Sequence, residues 1–120
     1  MATYYKRKLS GSTNGLGIKI TDTATPGTLI HTAVAGTTAG TFDEIWLFAY
    51  NGHTTTVTLT VEFGGHTAPD QNIVCTLAAK SGLQLVVPGA ILQNEMDVNI
   101  FCSVDDVAVI YGWVNAVVTG

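Results

Sequence analysis

A chain of 120 residues, 47% hydrophobic and only 12% charged, has room for one domain with a core of its own; it excludes two domains and a disordered chain. Its charged fraction is about half the roughly 25% of ordinary soluble proteins, so much of the surface is expected to lie against other protein. The formal net charge of −4 argues against nucleic-acid binding, and no apolar run reaches the roughly 18 residues that would suggest a membrane helix, so no membrane partner is expected.

Residues 1–15 read as an N-terminal basic arm. The stretch "MATYYKRKL" places Lys6, Arg7 and Lys8, three of the five cations, beside Tyr4 and Tyr5. No apolar core with a cleavage site follows, so no secretion signal is visible and a soluble protein is expected. "GSTNGLG" lacks the lysine and the strand-to-helix setting of a phosphate loop and reads as a flexible turn.

Residues 16–120 read as a single β-sandwich domain. "GIKIT" and "TLIHTAV" supply the first strands, and "FDEIWLFAYNGHTTTVTLTVEFGG" reads as a hairpin. Its first strand puts Ile45, Leu47 and Ala49 on one side and Trp46, Phe48 and Tyr50 on the other, so both faces want cover. Its second puts Val57, Leu59, Val61 and Phe63 on one face and Thr56, Thr58, Thr60 and Glu62 on the other, the pattern of a half-exposed strand. Asn51-Gly52 between them is the dipeptide that most readily takes a tight type I′ turn.

"NIVCTLA", "LQLVV", "DVNIFCSV" and "VAVIYGWVNAVV" complete the series, with turn-forming residues between them; "GAILQNEM" is also compatible with a short helical turn. Eight strands without crossover helices imply an all-β fold, an antiparallel β-sandwich of about eight strands and jelly-roll type. In the last strand Tyr111 and Trp113 share a face with Val107 and Val109, while Ala108, Ile110, Gly112 and Val114 line the other. Neither face is polar. In a two-layer sandwich only one of them meets the core, so a subunit, a loop or another protein must cover the second.

Residues for chemistry are sparse. His31 falls within a strand and His53 and His66 follow turn glycines, an arrangement without the convergent ligands of a metal site. Cys75 and Cys102 lack CxxC spacing and sit in alternating strand patterns, as buried free thiols do. Asp105-Asp106 reads as an acidic turn. Glu62, Glu95 and Asp97 cannot be placed at glycosidase spacing, and there is neither a nucleophile elbow nor a cysteine with a histidine partner. No catalysis and no cofactor are expected.

The ordered runs "AGTTAGTFDEIWLFAYNGHTTTVTLTVEFGG", "LQLVVPGAILQNE" and "IYGWVNAVV", from about Gly36 onward, resemble the small β-rich virion proteins of tailed bacteriophages, particularly those of capsid decoration or cement type. The resemblance implies a structural protein, commonly a homotrimer, that binds the outer capsid surface and bridges subunits of the major capsid protein, with a location on the virion after assembly in the host cytoplasm. Tyr4, Tyr5, Lys6, Arg7, Lys8, Trp46, Phe48, Tyr50, Tyr111 and Trp113 are the expected oligomer or capsid interface, the arm gripping an acidic patch. The alternatives are another virion component, such as a tail, fibre or adsorption protein, and a carbohydrate-binding module using the tryptophans as a sugar platform.

Overall fold

A computed structural model describes residues 2–119. Nine strands run in chain order: β1 (Ala2–Lys8), β2 (Ile18–Lys19), β3 (Thr28–Thr32), β4 (Phe42–Asn51), β5 (Val57–Phe63), β6 (Asn72–Leu77), β7 (Gln84–Leu92), β8 (Asp97–Cys102) and β9 (Ala108–Thr119). No helix occurs among the described residues. One sheet has the order β1-β9-β4-β7, with β2 also pairing β9; the other has the order β3-β8-β5-β6. All pairings are antiparallel. They nest: β1 and β2 with β9, β3 with β8, β4 with β7, β5 with β6.

The core lies between the inner faces. From the five-stranded sheet it takes Ile45, Leu47, Val87, Ile110 and Val114; from the four-stranded sheet it takes Ile30, Leu59, Val61, Val98 and Ile100. Strict alternation along β4 produces this, because every second side chain from Asp43 to Asn51 is buried and the intervening ones are half-buried. Buried side chains of this size stabilise by about 1.5 to 3 kcal/mol each relative to exposure.

The sandwich corrects four expectations. First, β4 and β5 do not form a hairpin: β4 pairs β7 and β9, whereas β5 pairs β6 and β8. Both edges of β4 are occupied, so β5 must cross to the other sheet. Asn51-Gly52 serves that corner. The Asn51 amide is buried and donates to the carbonyls of Thr55 (3.0 Å) and Leu77 (3.0 Å), its carbonyl oxygen accepts the His53 N–H (2.8 Å), and neither residue has the positive φ of a type I′ turn.

Second, the segment read as an arm contains a strand, with Ala2–Lys8 in register from Ala2 opposite Thr119 to Lys8 opposite Trp113. Charge and exposed tyrosines disguised it, since an edge strand need bury little. Third, "GAILQNEM" forms no helical turn: its first residues extend β7 to Leu92. Pro88 is tolerated because β7 is an edge strand, and the register shifts twice along its pairing with β4.

Fourth, the outer face of β5 is open only in part: Thr58, like Thr56 before the strand, is exposed as expected, but the far end is covered. Thr60 and Glu62 are buried, and Glu62 accepts hydrogen bonds from the Thr25 hydroxyl, the Gly27 N–H (2.7 Å) and the ring of His66 (3.0 Å). The loop before β3 and the loop after β5 thus roof one end of this sheet. Cys102 is buried, but Cys75 is only half-buried; both are free.

Candidate interaction surface on the five-stranded sheet

The outward positions of β4 and β9 face each other in pairs: Phe42 with Val117, Glu44 with Asn115, Trp46 with Trp113, Phe48 with Tyr111, Tyr50 with Val109. Among the described residues no further strand layer lies over them, although Val117 is buried, the loop at Gly17 lies against Val109 and Tyr111, and Trp46, Phe48, Tyr50 and Trp113 are half-buried. Trp46 and Trp113 stack at 6.0 Å between ring centroids, and Phe48 stacks on Trp113 at 5.7 Å. Tyr111 is 40% exposed, and Leu85 (48%) and Ile91 (55%) continue the apolar surface along β7. Lys6 of β1 lies 4.5 Å above the Trp113 ring, a cation–π contact that holds its charge at the border of the patch.

One carboxylate organises the centre of this face. Glu44 accepts from the Trp46 indole N–H (2.7 Å) and from the Asn115 amide (3.0 Å), and these two bonds, Asn115 first, hold its carboxyl below the usual range against a small opposing effect of burial. The polar groups nearest the rings are therefore already paired with one another. The sequence reading overlooked Glu44 and Asn115. Their signal was parity, for Glu44 precedes Trp46 by two residues and Asn115 follows Trp113 by two.

Of the predicted interface residues, Trp46, Phe48, Tyr50, Tyr111, Trp113 and Lys6 come together here. Tyr4 shares the outward parity of Lys6 and is 72% exposed. Tyr5 and Arg7 alternate onto the opposite side of β1, where the Arg7 guanidinium lies 5.3 Å from the Tyr5 ring. Arg7 and Lys8 line a separate cavity of about 480 Å³ with Ser10, His31, Thr32 and Asp43.

At that cavity Ser10, His31 and Asp43 superficially resemble a hydrolytic triad, and the bond directions exclude one. The Ser10 backbone N–H donates to His31 Nδ1 (3.0 Å), so Nε2 carries the proton and donates to Asp43 (2.7 Å). Neither ring nitrogen is free to accept a proton from a nucleophile, and the Ser10 hydroxyl oxygen is engaged by the Thr32 N–H (2.7 Å). The pair instead clasps β3 of one sheet to β4 of the other. Among the described residues no group of three or more His, Cys, Asp or Glu side chains is gathered to hold a metal ion, and no helix is long and apolar enough to cross a membrane.

Comparison of the chain with protein-family models, with curated proteins and with solved structures finds no match.

Proposed function

We propose that this protein is a structural component of capsid decoration type, a homo-oligomer that buries the aromatic face of its five-stranded sheet between subunits and attaches to a major capsid protein through its remaining surface. The observation that carries the reading is the uncovered apolar sheet face centred on Trp46 and Trp113. Its occupant is a second copy of the chain. Strand β4 has ten residues, and at about 3.3 Å per residue and about 4.8 Å for each of the three spacings across four strands the face spans roughly 480 Å², somewhat over half of the roughly 800 Å² each partner contributes to a standard stable interface, so side chains at its borders must contribute too. A homotrimer turns three such faces towards its axis, each meeting both neighbours.

Two further features support the reading. Strand order β1-β9-β4-β7 over β3-β8-β5-β6, with its nested pairs, is the order we infer for a jelly roll, an architecture common in capsid proteins. A sugar platform fits less well, because sugar hydroxyls need polar partners beside the rings, and the Trp46 N–H and the Asn115 amide are spent on Glu44.

Light scattering at micromolar concentration, followed by rebinding to undecorated capsids, tests the proposal. The expected result is an oligomer that cosediments with heads. Cosedimentation with tails would favour an adsorption component, and a monomer that binds glycans would favour a carbohydrate module.

A further inference from the structure

We propose that the free edge of β1 is a docking edge for an extended acidic segment of a partner protein, which adds to the sheet as a further strand. β1 pairs with β9 alone, on one side only. Six of its seven residues are exposed. Its other side therefore offers a row of unpaired backbone donors and acceptors, the template that strand addition uses.

The side chains select the occupant. Lys6 and Lys8 alternate with Arg7, so an added strand would have cations on both of its faces. Among the described residues none of the three forms an ion pair, although the chain has nine acidic residues against five cations; Lys6 rests on the Trp113 ring, Arg7 on the Tyr5 ring, and Lys8 Nζ donates to the Ser12 carbonyl (3.0 Å), so an incoming carboxylate would displace no carboxylate partner. Arg7 and Lys8 border the 480 Å³ cavity, which leaves room for an incoming carboxylate side chain, and the Ser10 hydroxyl there still has a hydrogen to donate. A second β1 is a poor occupant: antiparallel pairing about Arg7 would set Lys6 against Lys8.

Lysines on an edge strand also serve simply to block aggregation. An edge built only to repel would not carry Tyr4 and Tyr5, 72% and 47% exposed, one on each face. The other edges differ. β7 is interrupted by Pro88 and two register shifts, β3 is short and bulged, and β6 has no charged residue with which to choose a partner. This docking edge asks nothing of the aromatic face and stands whether or not that face joins subunits.

The test is fluorescence anisotropy of the full chain with three labelled peptides: an alternating Glu/Val decapeptide, its Lys/Val counterpart, and the Glu/Val peptide N-methylated at alternate residues. The Glu/Val peptide should bind about tenfold more tightly than the Lys/Val peptide, which is about 1.4 kcal/mol in all and the middle of the range for three screened surface charges. Lys6→Gln/Arg7→Gln/Lys8→Gln should remove that preference while the melting temperature is retained. N-methylation should abolish binding by removing backbone donors. Absence of Glu/Val binding would make the edge a guard, and equal binding of the methylated peptide would make it a charge patch; either result overturns the proposal.

Discussion

Trp46 and Trp113 stand directly opposite each other on neighbouring strands, their ring planes 15° from parallel, on the side of the sheet that faces away from the core. Burial in the sandwich core therefore does not explain the two tryptophans of this chain. Each is half-buried by its neighbours on the sheet, and the uncovered remainder is what an assembling subunit would cover.

Trp113→Ala should lower the stability of the isolated subunit by about 1 to 3 kcal/mol. Partial burial and two aromatic contacts are lost, without the full cavity cost of a core tryptophan. Urea denaturation checks the value; a loss above about 4 kcal/mol would mean that the ring is buried within the subunit.

Glu62 should make the fold acid-sensitive. Burial alone would raise its pKa, but the hydrogen bonds from Thr25, Gly27 and His66, with the charge of His66, outweigh burial and hold the carboxyl below its ordinary value. A group depressed in the folded state contributes stability that is full above its unfolded pKa and lost as pH falls through the folded one, here as pH falls below the ordinary carboxylate range. Glu62→Gln should cost about 1 to 3 kcal/mol at pH 7 and flatten that part of the profile. Denaturation midpoints measured from pH 7 to pH 3 decide it; parallel profiles for the two proteins would contradict the assignment.

Gly112→Ala should be among the most damaging single substitutions. Gly112 has a φ of 156° and pairs with Leu47, and an added Cβ would strike the Trp46 carbonyl oxygen, which is backbone and cannot swing aside. A loss of more than about 3 kcal/mol is expected from disruption of the central strand pair. A thermal melt within about two degrees of wild type would show that the two strands can part without cost.

The cysteines should contribute no crosslink. Cys75 on β6 and Cys102 on β8 both pair with Leu59, from opposite sides of β5. Two strand spacings separate them by about 9.6 Å, beyond the roughly 7 Å that a disulfide spans. Melts with and without reductant should coincide. Burial pushes the Cys75 thiol up, so even this more accessible cysteine should alkylate slowly in the native protein.

Most of the strands were legible because alternation survives wherever one face is buried: Ile45, Leu47 and Ala49 read as one face of their strand, and the structure makes that face the inner one, a choice that two apolar faces left open. The pairing was less legible. "NGH" has the composition of a hairpin turn, but whether a turn joins strands of one sheet depends on whether the preceding strand has an edge to spare, and β4 has none. β1 escaped notice because it contributes almost nothing to the core. The roof over Glu62 rests on contacts from Thr25 and Gly27, 37 and 35 residues away, which local periodicity cannot register. At the aromatic face the side chains could be named from alternation along β4 and β9, whereas the arrangement of Trp46 against Trp113 required the register between them.

Sedimentation equilibrium of the wild-type chain and of Tyr111→Glu tests the central claim most directly, because Tyr111 is an exposed member of the aromatic face whose ring the core does not need. The wild type should sediment as an oligomer, three times 12.6 kDa for a trimer, and Tyr111→Glu should sediment as a folded monomer with a melting transition of its own. A wild type that remains at 12.6 kDa across the micromolar range, or an oligomer that the substitution leaves intact, would contradict the assignment of this face to subunit assembly.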